Sequence, residues 1–208
     1  MTRSSSPIGV NSQRNYFDGS MIYTLFKKAF DFGISILILA LFWWLFLLIA
    51  MLIKMGSDGP AIFAQKRIGL NGNEFVCFKF RTMQVGTKVA ATHEVSSNQI
   101  TRIGGFLRKS KLDELPQVWN IIKHEMSFVG PRPCLPTQDE LIQLRAEAGI
   151  FEDLPGITGW AQIQGIDMSN PPHLVKTETE YRSKRSIFLD IKILLATFIG
   201  RGNGDRTR

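Results

Sequence analysis

An uncharged run of 21 residues, Gly33 to Ile53, dominates the pattern of apolar and polar positions along this chain. As an α-helix it would be about 30 Å long, the thickness of a bilayer core. It is too long for a cleavable signal peptide, and no small-residue cleavage site follows it. A buried core helix is the alternative, and the length together with mid-run Trp43 and Trp44 weighs against it. Just ahead of the run, Ile22, Leu25, Phe26, Ala29 and Phe30 recur at helical spacing, with Lys27, Lys28 and Asp31 off that stripe. Residues 1–20, rich in Ser, Asn and Gly, carry no apolar period and are expected as a disordered tail.

Beyond the run, Gly59-Pro60 marks a turn. Ala61–Gln65 and Glu74–Phe80 read as strands joined at Asn71-Gly72, a hairpin signal. Gly104-Gly105 punctuates the chain before the basic segment Arg108-Lys109-Ser110-Lys111. Residues 113–124 and 138–148 are expected as helices, and 155–165 as a glycine-rich, non-helical stretch. Residues 187–199 form an amphipathic helix ending at Gly200, too short to span a bilayer but able either to lie on one or to pack in a core. The fold expected is mixed α/β and mostly helical. It combines an anchor at 21–55, a domain at 56–200 holding a short β-hairpin and amphipathic surface helices, and a flexible tail at 201–208.

Charge refines this picture. The formal net charge of +7 calls for an anionic partner. The basic residues are dispersed and no recognition motif is visible, so nucleic acid is set aside. Positive charge flanks the apolar run on both sides, with Lys27 and Lys28 before it and Lys54, Lys66 and Arg67 after it. A simple span has one side poorer in Lys and Arg, so the charges fit a re-entrant helix that returns to the face it entered. Against that, Leu41–Leu45 holds no Pro or Gly to turn the chain, and broken backbone in lipid leaves polar groups unsatisfied. Cys77 and Cys134 lack any paired spacing and read as free thiols in a reducing compartment, with no zinc site. His93, His124 and His173 are too scattered for a His-ligated metal or a His-based triad.

Candidate chemistry starts with the adjacent acids Asp113 and Glu114. Ser110-x-x-Asp113 matches a capping box, and Pro116 is tolerated in a first turn, which places both acids at a helix N-terminus. The helix dipole favours ionised carboxylates there. They either cap the helix or act chemically, one as nucleophile and the other as ligand of a divalent ion. Arg132, between Pro131 and Pro133, rides a stiff backbone and suits either bidentate phosphate binding or a surface salt bridge. Lys79 and Arg81 alternate with Phe78 and Phe80, giving a strand with two cations on one face, either phosphate-facing or solvated.

The order of four segments is more specific than any one of them. Lys79-Phe80-Arg81-Thr82-Met83, Leu112-Asp113-Glu114-Leu115-Pro116-Gln117, Ser127-Phe128-Val129-Gly130-Pro131-Arg132-Pro133 and Pro155-Gly156-Ile157-Thr158-Gly159-Trp160-Ala161-Gln162 together resemble the bacterial sugar transferases. These are the monotopic polyprenyl-phosphate phosphoglycosyl transferases, here in minimal form from about residue 22 to 200. The resemblance implies transfer of a sugar 1-phosphate from a UDP-sugar to undecaprenyl phosphate, with release of UMP and a phosphosugar–Asp intermediate. It implies Mg²⁺ as cofactor, Asp113 as nucleophile, Glu114 as magnesium ligand, Arg132, Arg108 and Lys79 on phosphates, and Arg81 and Glu178 also at the substrate. It also implies membrane lipids as partners and the cytoplasmic face of the bacterial inner membrane as location, and leaves a homodimer open. Three departures stand out. Trp43-Trp44 replaces a Ser-Pro break in the anchor, Glu178 replaces an Asp three residues before Tyr181, and Gln164-Gly165-Ile166-Asp167 replaces an Asn-Gly-Arg run. They motivate the alternative of an inactive, membrane-tethered scaffold.

Overall fold

The computed structural model describes residues 10–87 and 99–200, with side chains from Ile22 onward. Residues 1–9, His93 and the tail at 201–208 lie outside the described residues.

A helix from Val10 to Gly56 (α1) opens the fold. It begins inside the segment expected as a tail and continues unbroken through Trp43-Trp44. Trp44 Nε1 donates to the Leu41 carbonyl at 3.0 Å, alongside the helix's own bonds. Over residues 22–31 the apolar stripe faces outward and part of the polar side faces the domain. Ile22, Leu25 and Phe26 are exposed, whereas Lys27 is largely covered and Asp31 is buried. Asp190 and Ser127 draw the polar side inward. Lys27 Nζ donates to Asp190 Oδ2 at 2.8 Å, Tyr23 OH to the same oxygen at 2.9 Å, and Ser127 Oγ to Asp31 Oδ2 at 2.6 Å. At the other end of α1, Ile49 and Ile53 pack with Phe80 and Leu107.

Strands β1 (Ile62–Ile68) and β2 (Glu74–Phe80) form the expected antiparallel hairpin, with Ile62 opposite Phe80 and Ile68 opposite Glu74. β1 runs three residues beyond the expected end. A 3₁₀ turn at Leu70–Gly72 joins the strands, with Asn71 at φ 56°. Asn tolerates that left-handed conformation better than most residues do. Asn120, fully buried, covers the open edge of β2. Its amide donates to the Val76 carbonyl at 2.6 Å and its Oδ1 accepts from Phe78 N at 3.0 Å.

Helix α2 (Arg102–Ser110) incorporates Gly104-Gly105, which the sequence reading took for a break. The Thr101 side chain caps it, accepting from Gly104 N at 2.9 Å. A Cβ on Gly104 would meet the Thr82 carbonyl oxygen at 2.0 Å, so the glycine serves close packing against the strand exit. The helix expected over 113–124 divides in two: a 3₁₀ turn at Leu112–Glu114 and helix α3 from Gln117 to Ile122. The Ser110 capping box does not form. Ser110 ends α2, and its Oγ donates back to the Phe106 carbonyl at 2.9 Å. Lys111 then reverses the chain at φ 58°.

Strand β3 (Ser127–Val129) pairs in parallel with β4 (Gly156–Thr158), a second small sheet that periodicity did not signal. Helix α4 (Asp139–Glu147) lies where expected, within a residue at either end. The stretch 155–165, read as non-helical, instead supplies β4 and a single-turn helix, α5 (Trp160–Ile163). A Cβ on Gly130 would meet the Leu154 carbonyl at 2.3 Å, so glycine there lets the Arg132 loop pass against β4. Helices α6 (Pro171–Lys184) and α7 (Ile187–Phe198) close the domain. Its apolar interior is several small clusters, not one large core.

Candidate active site

The residues singled out from sequence converge. Lys79, Arg81, Arg108, Asp113, Glu114, Arg132 and Glu178 all line one cavity of about 1230 Å³. They arrive on several different supports. Lys79 comes from β2, Arg108 from α2, the acids from the 3₁₀ turn, and Arg132 from the loop after β3. Three bonds brace that loop: Gly156 N to the Pro131 carbonyl at 2.8 Å, Arg67 Nη1 to the Pro133 carbonyl at 3.0 Å, and Ile68 N to the Cys134 carbonyl at 2.9 Å. The two prolines thus fix Arg132 on backbone held from both the hairpin and β4.

Glu114 is the electrostatic centre. Its Oε1 accepts from Lys79 Nζ at 2.8 Å and faces Arg132 Nη1 at 3.4 Å. Burial opposes its ionisation, yet Lys79 and Arg132 outweigh burial and hold the carboxyl at about 2. Asp113 goes the other way. Burial and the charge of Glu114 lift its carboxyl to about 6, against the pull of Lys79, Arg108 and Arg132. Adjacent acids pushed apart in this way are suited to different roles, one as a standing anion and the other as a nucleophile or acid.

Two predicted residues have other engagements. Arg81 secures the end of α1, donating to the Asp58 carbonyl, to the Ser57 carbonyl at 2.8 Å and to Ser57 Oγ at 3.0 Å. Glu178 is buried in a two-bond pair with Arg145, at 2.9 and 2.5 Å. Sequence reasoning gave no role to Thr82, whose Oγ1 accepts from Arg108 Nε at 2.9 Å and orients that guanidinium. Nothing local in the sequence signals this bond, because Thr82 and Arg108 lie on separate elements.

Among the described residues, no group of three or more His, Cys, Asp and Glu side chains converges as a protein-only metal cage. Magnesium asks for less: one or two carboxylates, the remaining ligands coming from water and substrate phosphates. Asp113 and Glu114 supply that hard-oxygen donor set. Glu114 Oε1 is already held by Lys79, so its second oxygen is the one suited to a metal.

Residues 22–201, nearly all of the described chain, match the family described as bacterial sugar transferase. The chain belongs to the bacterial sugar transferase family. A Xanthomonas campestris protein named UDP-glucose:undecaprenyl-phosphate glucose-1-phosphate transferase is 35% identical over 96% of this chain and 44% of its own length. Undecaprenyl-phosphate glucose phosphotransferase of Komagataeibacter xylinus is 40% identical over 82% of this chain and 35% of its own length. The exopolysaccharide production protein ExoY of Rhizobium meliloti is 38% identical over 82% of this chain and 83% of its own length. The chain therefore spans less than half of the first two relatives and most of the third. All four motif segments that carried the sequence resemblance fall inside the region matched to the bacterial sugar transferases.

Proposed function

We propose that this chain transfers a sugar 1-phosphate from a UDP-sugar to undecaprenyl phosphate and releases UMP, at the cytoplasmic face of a bacterial inner membrane. The observation that carries the reading is the arrangement of Asp113 beside Glu114. One carboxylate is strained and lines the cavity, while the other is ion-paired to Lys79 and faces Arg132. The names of similar proteins, which specify glucose or N-acetylgalactosamine phosphotransfer to undecaprenyl phosphate, support the substrate class.

In the proposed route an Asp113 carboxylate oxygen attacks the phosphorus that bears the sugar. A phosphorus–oxygen bond forms, the bridging bond of the diphosphate breaks, and UMP leaves with the electron pair. A phosphate oxygen of the polyprenyl acceptor then attacks the same phosphorus and returns Asp113 as a carboxylate. Burial in a cavity raises the energy of the free Asp113 anion, which favours its attack. Arg132 and Arg108 stabilise charge on the transferring phosphoryl group. Lys79 keeps Glu114 ionised and oriented. Magnesium, held by Glu114 and the substrate phosphates, would offset the negative charge of the diphosphate. Two separate steps also let two bulky substrates use one cavity in turn.

The test is UMP release by detergent-solubilised protein with undecaprenyl phosphate and a panel of UDP-sugars headed by UDP-glucose, with and without Mg²⁺, beside Asp113→Asn. Release with one sugar is expected, and its loss in the variant. Turnover retained by a folded Asp113→Asn protein would refute the covalent route. No release by the folded wild type with any sugar would favour the scaffold alternative.

A further inference from the structure

Arg132 sits in a loop that has few donors of its own. Pro131 and Pro133 carry no N–H, so the loop is gripped by its carbonyls. Gly156 N and Ile68 N, both backbone donors, take the Pro131 and Cys134 carbonyls at 2.8 and 2.9 Å. The Pro133 carbonyl, next to Arg132, is taken by a side chain instead. Arg67 Nη1 donates to it at 3.0 Å. Arg67 precedes Ile68 on β1, so the side-chain grip and the backbone grip come from adjacent residues of one strand.

Arg67 is itself held. Residues two apart on a strand share a face, and Gln65 Oε1 accepts from Arg67 Nε at 3.1 Å and from Arg67 Nη2 at 2.7 Å. Nε, Nη1 and Nη2 thus all donate to protein already, and neither forked edge of this guanidinium is open to a phosphate. Gln65 and Arg67 nevertheless line the cavity beside Lys79, Glu114 and Arg132. Burial pushes the Cys77 thiol up, while Lys79, Arg67 and Arg132 pull it down, so the three cations gather about one point. The neutral amide of Gln65 orients Arg67 without cancelling its charge.

We propose that Gln65 and Arg67 are positioning residues for phosphoryl transfer, an inference that rests on the transferase reading above. Gln65 sets the plane of the Arg67 guanidinium, Arg67 holds the Pro133 carbonyl, and Arg132 is thereby kept at the transferring phosphoryl group. Neither residue touches substrate. Misplacing a reacting group by about 1 Å can cost about a hundredfold, and loss of one brace among several should cost on the order of tenfold. The loss falls on kcat, because Arg132 acts on charge that develops in the transition state.

The test is a double-mutant cycle on the full chain in detergent. Gln65→Met frees the guanidinium and leaves its charge in place, whereas Arg67→Met removes the grip. Each is made alone and with Arg132→Gln, and UMP release is measured with the UDP-sugar that the wild type accepts. Alone, each should lower kcat, Arg67→Met by roughly tenfold, with KM for the UDP-sugar within about twofold of wild type. With Arg132→Gln in place, neither should lower kcat further. Losses that multiply with that of Arg132→Gln overturn the proposal, as does a raised KM at unchanged kcat or wild-type turnover in both single variants. Should Arg67→Met fail to fold by circular dichroism, Gln65→Met carries the cycle. UDP binding is titrated by calorimetry on the same proteins. A wild type that binds UDP but releases no UMP sinks the transferase reading and not the positioning, which is then read as the same non-additivity in affinity. A wild type that does neither removes both together.

Discussion

At the scale of the residue, Asp113 and Glu114 are neighbours with opposite titration, and that contrast has a measurable sign. The Asp113 carboxyl is raised from 3.8 to about 6 by burial and by Glu114. The folded state therefore holds a proton that the unfolded chain has lost between those values, and folding stability declines as pH rises through that window. Asp113→Asn removes the decline. With a chelator present, the variant should match wild type near pH 4 and exceed it by up to roughly 3 kcal/mol at pH 7, as read by urea unfolding at several pH values. A constant difference across pH would show that Asp113 is not strained. The acid pair was legible because residue type and adjacency suffice to mark it. Its backbone was not. The capping box assumed that Ser110 faces forward, but nothing in four residues of sequence reveals that α2 begins eight residues earlier and claims that hydroxyl for its own last turn. Arg81 was misjudged for a related reason. Strand alternation puts it on the same face as Lys79, yet the end of α1 takes its guanidinium through Ser57 and Asp58.

At the scale of the element, long-range polar pairs decide what periodicity leaves open. Arg145 on α4 and Glu178 on α6 are 1% and 4% exposed and hold the two helices together through two bonds. Glu178, which the resemblance placed at the substrate, has a partner here that accounts for its burial. Arg145→Met leaves a buried carboxylate unpaired and should cost on the order of 3–5 kcal/mol, measured by denaturant unfolding. Adding Glu178→Leu to that variant should recover most of the loss, and failure to recover would mean that the helices depend on packing at this point more than on charge. The hairpin and helices α4 and α7 were readable, since each has a turn signal or a stripe of its own. The β3–β4 sheet was not, because three-residue strands paired over a gap of 26 residues carry no period. The stripe at residues 22–30 was legible as a stripe but not in the direction it faces. The rule that apolar residues turn inward presumes water outside, and Ile22, Leu25 and Phe26 point away from the domain.

At the scale of the whole molecule, the apolar run and the positive charge at both of its ends pointed to a membrane partner before any contact was known. Sequence could not say how the helix and domain meet, because the residues that join them are far apart in the chain. Lys27 and Asp190 are separated by 163 positions. Order of synthesis gives that separation a meaning. A helix made early depends on one made 163 positions later. Until α7 emerges, Lys27 and Asp31 lack the Asp190 end of their network, and polar side chains at the head of the run discourage its entry into hydrocarbon. Emergence of α7 then closes the network and fixes α1 against the domain. Nascent chains arrested before Ser186 should accordingly leave α1 open to added protease, and chains extended past α7 should protect it. Protection already complete before α7 is made would mean that the anchor settles without waiting for its partner.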